Sequence, residues 1–106
     1  MANFLLLYSG GSMPTTEAEQ KAVIEAWTAW YTGLGEAVLD PGNPFTPMAK
    51  SVTSDGKVHD GPAGTMASGY TIIKASSLDA AAVLARGCPV LNGGGQITVY
   101  ETFNVM

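Results

Sequence analysis

His59, Asp60 and Glu101 are the side chains of this sequence whose types best suit proton transfer. His59 is the single histidine of the chain, and imidazole is the group that exchanges protons most readily near neutral pH. Adjacent residues of a strand point to opposite faces, so His59 and Asp60 need not act together. In the alternative interpretation His59 is an exposed hairpin residue, and Asp60 bonds backbone amides of its own turn, as Asp commonly does before Gly.

Glu101 falls within an apolar series that alternates as in a strand. The apolar members of the series are Ile97, Val99, Phe103 and Val105. A carboxylate on an apolar face is costly unless it is paired or protonated, and burial raises its pKa toward values useful for acid/base catalysis. The alternatives are an ion pair with Lys74 or Lys50 on a neighbouring strand, or a bulge that turns Glu101 outward.

Tyr8, Trp27 and Tyr70 could form the walls of an aromatic pocket for a small molecule. Trp30 lies three residues after Trp27, which is helical spacing. Two tryptophans at that spacing are also typical of a hydrophobic core, so both interpretations stay open.

The sequence predicts no metal site and no cofactor. Cys88 is the single cysteine, which excludes an intrachain disulfide, and no Cys/His cluster has the spacing of zinc ligands. The run Gly93–Gly95 lacks the helix and lysine that follow a phosphate-binding loop.

Length and charge limit the partners. The 106 residues correspond to one domain, 1–106. Lys and Arg total 5 against a net charge of −4, so the basic patch that nucleic-acid binding needs is missing. The apolar run Phe4–Tyr8 is far shorter than the roughly 20 residues of a membrane span, and no basic residue precedes it. We therefore expect neither a nucleic-acid nor a membrane partner, and a cytoplasmic location.

The low charge predicts a homodimer. Charged residues make up 13% of the chain and hydrophobic residues 46%, whereas about 25% charged is usual. Large exposed apolar patches mark interfaces, so a second copy of the chain would cover part of this surface. The alternative is a well-packed monomer of low charge.

Hydrophobic patterns predict two helices and a sheet. A first helix opens with Thr16 and Glu19 spaced as a capping box and runs to about Leu34. A second helix is capped by Ser76 with Asp79. Strands are predicted at 3–8 (buried on both faces), 37–40, 48–53 with a hairpin return at 57–59, 69–75 and 96–105.

This order predicts an α+β fold of the ferredoxin-like βαββαβ type with an extra β-hairpin strand. Both helices would cover one face of an antiparallel sheet. The other face would then be buried sheet to sheet in a homodimer.

Several segments in this order resemble the YCII-related family, and within it the DGPF subgroup named for an Asp-Gly-Pro-Phe turn. The segments are the turn Asp60-Gly61-Pro62, the strand Phe4–Tyr8, the helix with Trp27 and Trp30, the strand 69–73, the helix start Ser77–Ala81 with Cys88-Pro89, and the terminal 94–99. Two departures are visible. Ala63 stands where the subgroup has Phe, and no histidine precedes His59 to match the His of the first helix that some members pair with an Asp.

The resemblance implies a dimeric α/β barrel, in which two ferredoxin-like units pack sheet to sheet. It also implies a cleft between sheet and helices that takes small organic molecules, often ring compounds. Glu101, His59 and Asp60 would then be candidates for acid/base catalysis, and Tyr8, Trp27 and Tyr70 the pocket walls. The alternative is a non-catalytic dimeric binding or accessory module.

Overall fold

The computed structural model describes residues 2–11 and 14–105, which form an α+β fold. The strands are β1 Ala2–Ser9, β2 Val38–Asp40, β3 Lys50–Val52, β4 Val58–Asp60, β5 Ala67–Ala75 and β6 Gln96–Glu101. The helices are α1 Glu17–Leu34 and α2 Leu78–Ala85, and short 3₁₀ turns follow them at Gly35–Ala37 and Pro89–Gly93.

The main sheet has four antiparallel strands in the order β2-β5-β1-β6. β3 and β4 form a separate two-stranded hairpin inserted between β2 and β5. Without the hairpin, the strand order is that of the ferredoxin-like βαββαβ fold. The predicted α+β, ferredoxin-like fold class is confirmed, and the extra hairpin strand predicted with it occurs as part of this separate two-stranded hairpin.

The hydrophobic core lies between one face of the sheet and the two helices. Phe4 and Ile73 face each other across β1 and β5 and are fully buried, and Ala81 of α2 packs against them. Helix α1 has no fully buried residue and reaches this core through large side chains. One of them, Trp30, donates its indole N–H to the carbonyl of Leu84 in α2 at 3.2 Å.

The helix starts follow the predicted capping chemistry with small shifts. Thr16 Oγ1 accepts the backbone N–H of Glu19 at 3.1 Å, as predicted. The Glu19 carboxylate accepts from the backbone N–H of Thr15 at 3.1 Å, one residue before the cap itself. Helix α2 is capped by Ser77 and not by Ser76, because the Ser77 hydroxyl is the one that accepts the N–H of Ala80.

Among the described residues, no helix covers the second face of the sheet. β1 alternates between buried and half-buried residues, so the prediction of a strand buried on both faces is wrong for the single chain. Leu5 lies on the uncovered face, opposite Ile72 on β5 and Tyr100 on β6. Leu7 lies beside it on the same face, and together these residues form what we call the open sheet face.

β6 ends at Glu101, four residues before the predicted end. The backbone N–H of Thr102 makes one more bond, to the carbonyl of Asn3 at 2.9 Å. Beyond that bond the described residues after Glu101 make no further ladder pairs with β1, although β1 itself extends to Ala2. Phe103 and Val105 are consequently 82% and 81% exposed.

In the part of the chain that the structure describes, no helix combines the length and the apolar character needed to cross a membrane.

Candidate binding cleft

A cleft of about 750 Å³ opens beside the sheet, where α1 stands away from it. The first half of α1 forms one wall. The opposite wall consists of the loop at 41–44 and the adjoining start of β5, and the 3₁₀ turn Pro89–Gly93 closes one end. Most of the surface that these elements present is apolar.

Three aromatic rings line the inner part of this cleft. Trp27 and Tyr31 are four residues apart on α1, so they lie on the same side of the helix. Their ring centroids are 5.7 Å apart, and the Tyr8 ring meets Trp27 edge to face at 5.5 Å. Tyr8 is directed to this side of the sheet because it alternates with Leu6 and Phe4 along β1.

Three hydroxyl groups and one carbonyl form a hydrogen-bonded network at the base of the cleft, which we call the hydroxyl network. Tyr8 donates to Thr71 Oγ1 at 2.6 Å, and Thr71 donates to the carbonyl of Pro41 at 3.0 Å. Tyr31 donates to the same carbonyl at 3.0 Å. Thr71 is fully buried, so these bonds replace the water that its hydroxyl would otherwise bind.

The ionisable groups in and near the network have raised pKa values. Burial raises the pKa of Tyr8 well above its ordinary value, and burial likewise raises the pKa of Tyr31. The Cys88 thiol lies close to Tyr8, and burial raises its pKa too. All three groups are therefore protonated at neutral pH, so they can form hydrogen bonds there but do not supply a base or a thiolate nucleophile.

A tight turn after β2 brings the Pro41 carbonyl to the network. Asp40 Oδ1 accepts the backbone N–H of Gly42 at 2.8 Å, so Asp40 starts this turn. Gly42 has a φ of +69° and lies against the Tyr70 carbonyl, where any Cβ would overlap it. Only glycine suits both the conformation and the contact.

Tyr70, one of the predicted pocket walls, borders the cleft at this turn. The alternation of β5 places its side chain on the face opposite Thr71. Its ring stacks on Phe45 at 5.9 Å, and its hydroxyl lies 3.3 Å from Asp40 Oδ2. The structure thus brings Tyr8 and Trp27 together inside the cleft and leaves Tyr70 at its edge.

His59 and Asp60 lie on the β3–β4 hairpin and do not line the cleft. His59 Nε2 is 3.2 Å from Thr53 Oγ1, whereas Asp60 Oδ1 is 2.7 Å from Lys50 Nζ. Both residues are exposed, as the alternative interpretation of His59 predicted. The alternative for Asp60 is wrong, because its carboxylate bonds Lys50 and Asp55 is the residue that bonds a turn amide of this hairpin.

Glu101 is exposed at the last position of β6 and does not line the cleft either. The prediction that it lies within a continuous apolar face is wrong, because the strand ends there and Phe103 lies beyond it in solvent. Of its two predicted ion-pair partners, Lys50 bonds Asp60 instead, and among the described residues Glu101 forms no ion pair with Lys74.

The sequence analysis missed Tyr31, which lines the cleft, and Thr71, which bonds Tyr8 in the hydroxyl network. Tyr31 follows Trp27 by four residues, so helical spacing alone places both rings on one face. Thr71 alternates with Gly69 and Ile73, which are buried, so its position in β5 indicates that its hydroxyl faces the core. Each signal becomes specific only once the two elements are known to adjoin.

Among residues 2–11 and 14–105, no cluster of three or more His, Cys, Asp or Glu side chains could hold a metal ion. Neither a protein-family model nor a curated protein sequence matches the chain. The function is therefore inferred from the geometry of the cleft.

Proposed function

We propose that this protein binds a small ring compound in the cleft between α1 and the sheet. The observation that carries the proposal is the combination of an aromatic wall, Tyr8, Trp27 and Tyr31, with the hydroxyl network at the base. Ligand pockets are typically concave and apolar, with a few placed polar groups and volumes of about 300–1,000 Å³. The cleft has each of these properties.

The aromatic wall favours a planar ligand. Trp27 and Tyr31 are tilted 39° to each other, and both are half-buried. An aromatic ring that packs on them gains offset or edge-to-face contacts worth about 0.5–1.5 kcal/mol beyond the area it buries. Flexible chain-like ligands gain no such contact.

The proposal assigns binding, and not proton transfer, to this cleft. Tyr8 and Tyr31 are hydrogen-bonding groups at neutral pH, and His59, Asp60 and Glu101 lie on other surfaces. Of the two functions considered from the sequence, these positions favour the non-catalytic binding module over acid/base catalysis by those three residues.

We also propose membership of the YCII-related family and assembly as a homodimer through the open sheet face. The confirmed ferredoxin-like fold supports the family, since the resemblance implied that fold. The half-buried Leu5 and Leu7 on a face without helices support the dimer. The proposed location remains the cytoplasm.

A cleft-filling variant tests the binding proposal. Ala26 lines the cleft on α1, and Ala29 is an exposed residue of the same helix that does not line it. Ring-containing fragments are screened by ligand-observed NMR, and the hits are titrated by calorimetry. Ala26→Leu should weaken their binding by more than about tenfold, because leucine occupies the space while keeping helix propensity.

Ala29→Leu is the matched control and should bind as the wild type does. If Ala26→Leu and Ala29→Leu both bind the fragments with wild-type affinity, the ligand site lies elsewhere. If no ring fragment binds at millimolar concentration, the binding function itself is wrong.

A further inference from the structure

The hydroxyl network has no hydrogen left to donate to a ligand. Each hydroxyl group carries one donor hydrogen and two acceptor lone pairs. The hydrogen of Tyr8 goes to Thr71, and those of Thr71 and Tyr31 both go to the carbonyl of Pro41. What remains toward the cleft is acceptor capacity, chiefly on Tyr31 Oη, because Tyr31 is half-buried and lines the cleft.

The formal charge that lines the cleft is negative. Of the described residues that line it, Glu19 is the one with a formal charge at neutral pH, and none is Lys, Arg or His. An anionic ligand would lose water without gaining a cationic partner, and that loss is costly. The net charge of the chain, −4, acts in the same direction.

The positive N-terminal end of helix α1 does not make the cleft favourable for anionic ligands. A helix N-terminus attracts anions through its free N–H groups and its dipole. Here the Thr16 hydroxyl already accepts the N–H of Glu19, and Glu17 and Glu19 place two carboxylates in the first turn. The local anion site is therefore already satisfied by the protein.

Three further polar side chains line the cleft, the amides of Asn43 and Asn92 and the hydroxyl of Ser68, and each can either donate or accept hydrogen bonds. They can hold a carbonyl or an N–H of a ligand equally well. They leave the acceptor character of the base and the sign of the charge unchanged.

We propose that the cleft selects neutral or cationic ring compounds that donate an N–H or O–H hydrogen bond to Tyr31 Oη, and that it rejects anionic ones. This ligand class rests on the binding function proposed above. A ligand without a donor leaves the acceptor on Tyr31 Oη unpaired. Glu19 repels a ligand that carries a carboxylate.

Four indole compounds test the ligand class with one ring system. Indole carries the N–H donor, 1-methylindole lacks it, tryptamine adds a cation and indole-3-acetate adds an anion. By calorimetry, indole should bind about fivefold or more tighter than 1-methylindole, the scale of one hydrogen bond. Tryptamine should bind about tenfold or more tighter than indole-3-acetate, with a difference that shrinks as salt is added.

Tyr31→Phe removes the acceptor and keeps the ring, so it should abolish the difference between indole and 1-methylindole. Tyr100→Phe is the matched control, because Tyr100 lies on the open sheet face and does not line the cleft. It should keep the wild-type difference. Circular dichroism melting confirms that both variants fold, and the wild-type comparison among the four probes stands without either variant.

The outcomes separate this inference from the binding function. Equal affinity of indole and 1-methylindole, or binding of indole-3-acetate as tight as that of tryptamine, would overturn the ligand class while the cleft remains a binding site. Absence of binding by all four would overturn the ligand class, and the fragment screen would then decide the binding function independently.

Discussion

The Tyr8 hydroxyl makes the stability of the folded protein depend on pH in the alkaline range. It is buried and donates to Thr71, and burial raises its pKa. In the unfolded chain a tyrosine titrates near pH 10. Above about pH 10 the unfolded chain releases this proton and the folded protein keeps it. The free energy of unfolding is therefore unaffected by the phenol below about pH 10 and falls by up to about 1.4 kcal/mol per pH unit above it.

Tyr8→Phe should flatten this dependence. Urea unfolding from about pH 9 to about pH 11 should show the free energy of unfolding falling less steeply in Tyr8→Phe than in the wild type. Cys88, whose pKa burial also raises, is present in both proteins, but Tyr8→Phe removes the hydrogen bond with Tyr8 that lowers the pKa of this thiol. Identical slopes for Tyr8→Phe and the wild type would show that the phenol is not held as described.

At the residue scale the sequence predicted part of the cleft. Tyr8 and Trp27 were found because aromatic residues at strand and helix spacing face an interior. The hydroxyl network was not found, since Tyr8 and Thr71 are 63 residues apart and meet only through the sheet register. Glu101 was misplaced because alternation in sequence cannot show where strand pairing ends.

At the scale of elements, the turn after β2 shapes the cleft most directly. Gly42 holds Pro41 against the hydroxyl network, and its backbone lies on the Tyr70 carbonyl. The starts of both helices were predicted within about one residue from their caps, because capping is local chemistry. The end of β6 was not predicted, because it depends on pairing with β1, which is distant in the sequence.

Gly42→Ala should destabilise the protein by at least about 2 kcal/mol, through strain at positive φ and overlap with Tyr70. Gly33→Ala is the matched control within α1, where nothing lies within 4 Å of the added Cβ. That substitution should stabilise the protein by about 0.5–1 kcal/mol. Urea unfolding measures both, and an unchanged Gly42→Ala would show that the turn can relax without cost.

At the scale of the whole molecule, the chain is flat. Its radius of gyration is 15.2 Å, with extents of 44 × 38 × 18 Å, whereas about 13 Å is typical of a compact domain of about 100 residues. The helices cover one side of the sheet, and the β3–β4 hairpin belongs to no larger sheet. A second copy packed on the open sheet face would make a thicker and more compact particle.

Leu5→Lys should convert the proposed dimer to a monomer. Leu5 lies at the centre of the open sheet face, between Ile72 and Tyr100, and a buried unpaired ammonium opposes association. Ile24→Lys is the control, because Ile24 is 65% exposed on α1. Sedimentation equilibrium at micromolar concentration should give a dimer for the wild type and Ile24→Lys. A monomeric wild type would exclude the sheet-to-sheet assembly.

The two tryptophan side-chain N–H signals in a ¹H–¹⁵N NMR spectrum test occupancy of the cleft most directly. Trp27 lines the cleft, whereas the Trp30 N–H is held by the Leu84 carbonyl in the core. A spectrum of Trp30→Phe assigns the two signals. Titration with the tightest-binding ring fragment should shift the Trp27 signal saturably and the Trp30 signal much less. A Trp27 signal that does not move at saturating ligand would contradict binding in this cleft.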